Sequence, residues 1–148
     1  MKAIINRLTT TTAGLDTVPV RVGAGIVFAA HGAQKLFGWF GGYGLEGTAG
    51  WMASIGLEPG LLMATMAGGA EFIGGLLLIV GFLVRPAALV LAATMVVAIA
   101  MVHLQNGLFL ANDGYEFGLV LLAASLGLVF RGAGSLSADH FVQVKMAN

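Results

Sequence analysis

Six side chains in this sequence are the candidates for chemistry: His31, Gln34, Lys35, Glu71, His103 and Glu116. Two are imidazoles, which exchange protons near neutral pH. Two are carboxylates, one is an ammonium and one an amide. Such a set can hold an ion pair, donate hydrogen bonds to the oxygens of a ligand, or relay protons. His31, Gln34 and Lys35 fall at i, i+3 and i+4, so on a helix they share one face, which also carries Phe28 and Gly32. Their surroundings make them conspicuous. The stretch FAAHGAQKLFG, residues 28–38, is otherwise apolar and glycine-rich.

The elements that must position these groups follow from composition. Apolar residues make up 58% of the 148 and charged residues only 9%. Soluble domains carry about 25% charged residues, so lipid must be the solvent for most of this chain. Four segments have the roughly 20 apolar residues of a membrane helix. They span about 19–39, 61–83, 86–108 and 115–130, and Pro19 and Pro86 suit helix starts. The expected fold is therefore all-α: one membrane domain over residues 1–148, a bundle of four transmembrane helices with an outer loop at 40–60. The first 16 residues are polar and threonine-rich and lack the apolar core of a cleaved signal peptide. With no cysteine, thiolate nucleophiles, iron–sulfur clusters and cysteine-bound zinc are excluded. No metal site is expected. The formal net charge is zero, and nothing points to nucleic acid.

Basic residues set the orientation. Lys2, Arg7, Arg21, Arg85, Arg131 and Lys145 fall at the amino end, the second connection or the carboxyl end. With four spans these regions share one side, and the positive-inside rule makes that side cytoplasmic, both termini included. Trp39, Tyr43 and Trp51 would anchor the 40–60 segment at the outer interface.

The two halves of the chain look alike. His31 precedes Leu36-Phe37 and His103 precedes Leu108-Phe109 at the same offsets, and Glu71-Phe72 and Glu116-Phe117 each open a stretch ending in arginine. This is the pattern of a duplicated helical hairpin. Counting about 1.5 Å per residue from Arg21, Arg85 and Arg131 puts Lys35, Glu71 and Glu116 roughly 21 Å from the inner surface and His103 roughly 27 Å. Five titratable groups from four helices then meet at one level. Facing lipid, each charge would cost about 2.5–3.5 kcal/mol, so these groups face inward, where Lys35 can pair with Glu71 or Glu116. A purely structural salt bridge explains that pair equally well. The cluster as a whole favours a ligand or proton site. The glycine pairs at 68–69 and 74–75 are expected to thin the second helix for packing.

The ordered set Arg21, Phe28, His31-Gly32, Lys35, a Gly/Trp-rich loop, Glu71, Gly74-Gly75, Gly81 and Arg85, with Gly134 and Asp139 near the end, resembles the DoxX family. The resemblance covers about residues 19–139. It implies a four-helix bundle in a prokaryotic cytoplasmic membrane and, by the family's associations, a quinone-linked redox subunit. On that reading His31, Gln34, Lys35, Glu71, His103 and Glu116 would hold a quinone headgroup, His31, Lys35 and His103 donating hydrogen bonds and the glutamates relaying protons. Electrons would come from a protein partner. Ligation of a haem by His31 and His103 ranks below this. The alternative is a non-enzymatic scaffold, chaperone or carrier of a lipid or small solute, and small-residue faces would also support a homo-oligomer.

Overall fold

Prolines stand at the starts of three of the long helices, and glycines close three of them. The computed structural model describes residues 9–11 and 14–147, and among these the chain is all-α. Helix α1, Val18–Phe37, has Pro19 in its first turn and ends where Gly38 turns left-handed. Helix α2 is Gly44–Ser54 and α3 is Gly60–Val80, closed by left-handed Gly81. Helix α4, Val84–Ala98, runs on through a π turn at Ile99–His103 and a 3-10 turn at Leu104–Asn106. Helix α5 is Glu116–Arg131, and a terminal helix α6 covers Ala138–Ala147.

Helices stand at all four expected spans. Two of them, Gly60–Val80 and the run Val84–Asn106, are long and apolar enough to cross a membrane. In α1, Arg21, His31, Gln34 and Lys35 dilute the apolar character, and α5 has 16 residues. Helices α1, α3, α4 and α5 all turn large apolar side chains outward, such as Ile26, Ile73, Val96 and Val120.

The 40–60 segment differs from the expected loop, because it contains the 11-residue helix α2. Its buried Thr48 and Met52 are one turn apart, and the backbone of Ala49 lies against Gly60 at the start of α3. Packing overrides the weak helix propensity of its glycines. The hairpin pattern has a counterpart in space. Helix α1 packs most extensively on α3 and α4 packs on α5, while α1 and α5 barely touch.

Glycine makes the α1–α3 contact close. A Cβ on Gly75 would lie 2.5 Å from the Ala29 nitrogen, and one on Gly25 would lie 2.7 Å from the Gly75 carbonyl. Gly32 abuts the backbone of Gly68 and Phe72 in the same way. Of the glycines expected to thin this helix, Gly68, Gly74 and Gly75 are packed against neighbours, and Gly69 faces open space.

The end of the bundle opposite α2 is closed by arginines. Arg21 is 3% exposed. Its guanidinium donates to the carbonyls of Leu78 (2.8 Å), Ile79 (2.6 Å), Ala133 (3.0 Å) and Leu136. It thereby satisfies carbonyls left open at the end of α3. Arg85 does the same for α5, donating to Val129 (2.9 Å) and to Thr10 (2.7 Å). Asp139 accepts the Leu83 and Val84 N–H groups at 2.8 and 3.0 Å, capping α4 from 55 residues away. Arg21 and Arg85 are thus structural clamps rather than free surface charges. Arg131 pairs with Asp16 at 2.6 Å, while Lys2 and Arg7 lie outside the described residues.

Candidate functional site

Lys35 Nζ lies 2.6 Å from Glu71 Oε2. Helix geometry brings them together. Side chains lean toward the N-terminus of their own helix, so in the antiparallel pair α1/α3 the two lean toward each other. Glu71 is 4% exposed and Lys35 25%. Removing Lys35 alone would strand the buried Glu71 charge at a cost of about 3 kcal/mol.

The pair borders a cavity of about 220 Å³. Four of the six sequence candidates line it: His31, Lys35, Glu71 and His103. Phe28, Met95, Phe117 and Leu121 supply an apolar lining, and Leu110 and Gly114 come from the 107–115 connection. His31 is exposed and Phe117 is 40% exposed, with their rings 6.1 Å apart. The cavity therefore reaches the outside of the bundle between α1 and α5, which touch only slightly.

His103 stands on the π turn, and its Nδ1 is 2.7 Å from the carbonyl oxygen of Asp113. A carbonyl only accepts, so Nδ1 carries the hydrogen. In the neutral ring Nε2 is then an acceptor, contrary to the donor role expected for His103. A π turn inside an otherwise regular helix is a common device for aiming a functional side chain.

Gln34 and Glu116 lie apart from this cavity. Gln34 lines a second one, and its amide reaches the Phe40 carbonyl at 3.4 Å. Glu116 opens α5 and accepts the Leu110 N–H at 2.5 Å, pinning the connection in front of its helix. Glu71 lies nine residues before the end of α3, roughly 14 Å, whereas Glu116 lies 15 residues before the end of α5, roughly 22 Å. A count from Arg85 to Glu71 takes in residues 81–83, which are not helical. Phe117, the neighbour of Glu116, faces the cavity instead.

The second cavity, about 270 Å³, lies between α1 and α2 and includes Lys35, Gly42, Tyr43, Thr48 and Trp51 in its lining. The Thr48 hydroxyl donates to the Lys35 carbonyl at 3.3 Å. The sequence alone suggests a membrane interface for Tyr43 and Trp51 and no role for Thr48. The spacing of Thr48 and Met52 on one helical face is the signal that could have found this wall.

The family model described as DoxX matches residues 17–104, from the residue before α1 through Leu104. The chain belongs to the DoxX family. DoxX proteins are membrane proteins, in agreement with the two long apolar helices. The match contains His31, Gln34, Lys35, Glu71 and His103, and leaves out Glu116 and all of α5. No curated protein and no solved structure matches this DoxX chain significantly.

Proposed function

We propose that this DoxX protein crosses a prokaryotic cytoplasmic membrane four times, with both termini cytoplasmic, and serves as a quinone-linked redox subunit. The supporting observation is the cavity that gathers His31, Lys35, Glu71 and His103 and opens sideways between α1 and α5. A lipid-soluble ligand would have lateral access there. The outward apolar side chains on all four long helices support four spans, and Arg85 and Arg131 near the α3–α4 and α5–α6 turns support the orientation.

The lining suits a quinone headgroup. Lys35 and His31 would donate to its oxygens, His103 Nε2 would accept from a quinol hydroxyl, and Glu71 would exchange protons with the pair's surroundings. A bound quinone would supply two-electron, two-proton chemistry, with electrons from a protein partner. A volume near 220 Å³ is below the 300–1,000 Å³ of ordinary ligand pockets. It suits a headgroup whose tail stays in lipid and is small for a haem held between His31 and His103.

Mass spectrometry of an organic extract of gently purified protein tests this, with Glu71→Gln beside it. The expected result is a quinone enriched in the wild type and depleted in the variant. Phospholipid alone, unchanged by the variant, would overturn the redox reading. It would favour a membrane scaffold, chaperone or carrier, for which the mutual satisfaction of Lys35 and Glu71 is the specific support.

A further inference from the structure

His103 divides its two ring nitrogens. Nδ1 gives its hydrogen to the Asp113 carbonyl at 2.7 Å. Among the described residues nothing bonds Nε2, and nothing bonds Oε1 of Glu71, whose Oε2 is taken by Lys35. The side-chain polar atoms that are both buried and unpaired are the Thr17 and Ser125 hydroxyls, so Nε2 and Oε1 keep accessible surface. Both residues line the inner cavity. As the partner of an ammonium, Glu71 is a carboxylate and only accepts. The cavity therefore presents two open acceptors beside the remaining Lys35 donors.

The outer connection fixes this arrangement. The Asp113 carbonyl also accepts from Asn106 Nδ2 at 3.3 Å. Asp113 itself is left-handed, φ 57°, a conformation that a non-glycine residue keeps only where its surroundings demand it. Its N–H donates to the Leu110 carbonyl at 2.9 Å, and the Leu110 N–H is held by Glu116 at 2.5 Å.

We propose, resting on the quinone reading of this cavity, that it selects the reduced ligand, a hydroquinone, over the oxidised quinone, and that Asp113 is the positioning residue that sets this preference through His103. A hydroquinone oxygen both donates and accepts, so it can meet Lys35 and still give its hydrogen to Nε2 or Oε1. A quinone oxygen only accepts, and leaves both acceptors without a donor. The role belongs to the Asp113 carbonyl, which holds the hydrogen on Nδ1 and so keeps Nε2 an acceptor.

Duroquinone and its hydroquinone, the latter under argon, are each titrated into the full chain in micelles, and free ligand is read after ultrafiltration. The hydroquinone is expected to bind about tenfold more tightly, which is about 1.4 kcal/mol. His103→Phe should cut that ratio by about threefold or more. Asp113→Gly keeps the left-handed carbonyl and should keep the ratio, whereas Asp113→Val, whose branched side chain disfavours that backbone, should lower it. Nitrogen NMR of histidine-labelled protein, with His103 assigned by its loss in His103→Phe, should show the hydrogen on Nδ1 and none on Nε2. Equal affinities in the wild type, a ratio unmoved by His103→Phe, a ratio lost in Asp113→Gly, or a hydrogen on Nε2 would each overturn the selectivity while leaving the quinone reading in place. Saturable binding of neither form would remove the quinone reading, and the selectivity with it.

Discussion

The two ends of this bundle use cations in opposite ways. At the arginine end, Arg21 is buried and donates to four backbone carbonyls from two segments. At the other end, Lys35 is partly exposed and meets one carboxylate. A planar fork matched to fixed carbonyls locks a fold, whereas a flexible ammonium with spare donors can change partners. The contrast separates charge fixed among backbone carbonyls from charge with donors to spare.

The largest effect should come from breaking the arginine end. Arg21→Met would orphan carbonyls at the end of α3 and is expected to cost about 3–5 kcal/mol, seen as loss of folded protein in a micelle melting assay. Arg21→Lys should recover only a small part, since one ammonium cannot replace the fork. Arg21→Lys melting like the wild type would erase the distinction drawn between the two ends.

The Lys35–Glu71 pair should be more tolerant. Lys35→Met alone strands Glu71 and is expected to cost about 3 kcal/mol, but Lys35→Met/Glu71→Gln should melt within about 1 kcal/mol of the wild type. A double variant as unstable as the single one would mean that this pair is also a clamp.

The smallest effect is a pH dependence at Asp139. Burial raises its carboxyl above the ordinary 3.8, against the opposing pull of the Val84 and Leu83 N–H groups and of Arg21. The folded state therefore keeps this proton to higher pH than the unfolded chain does. Its contribution to stability is greatest below 3.8 and declines as pH rises through the raised folded value. The melting advantage of wild type over Asp139→Asn should accordingly shrink between about pH 4 and pH 7. An advantage that grows over that range would contradict the raised carboxyl.

Much of this is legible in the sequence because hydropathy and helical spacing are local. The four long helices follow from apolar runs bounded by proline and glycine. The spacing of His31 and Lys35 points to an inward partner for Lys35, Glu71 or Glu116, and the structure shows it to be Glu71. The features that escape depend on segments distant in the chain. Arg21 reads as a surface charge until the end of α3 and the 132–137 turn close around it. Gly81 shows the same dependence: its left-handed turn ends α3, and a Cβ there would come within 3.0 Å of the Arg21 guanidinium. Asp139 stands in the sequence only as part of the family resemblance, and its role shows once Leu83 and Val84 present their N–H groups. The count from Arg85 to Glu71 runs through the turn at 81–83, which is not helix and which spacing alone does not reveal. Helix α2 is hidden by its glycines, since burial of Thr48 and Met52 decides its conformation and propensity does not.

The π turn at Ile99–His103 makes the aim of His103 a matter of residue count. It accommodates one residue more than a regular turn would. Deleting one residue within the turn would let the helix relax to ordinary winding with the downstream side chains facing nearly as before, because the widened turn absorbs that residue. Deleting one from the regular winding of α4, Val84–Ala98, would instead rotate the downstream side chains by about 100°. His103 would swing away from the Asp113 carbonyl while the apolar character of the helix stayed the same. Insertion into the bilayer would be blind to that change. A chain could lose one residue, reach the membrane as before, and arrive with an imidazole pointing the wrong way.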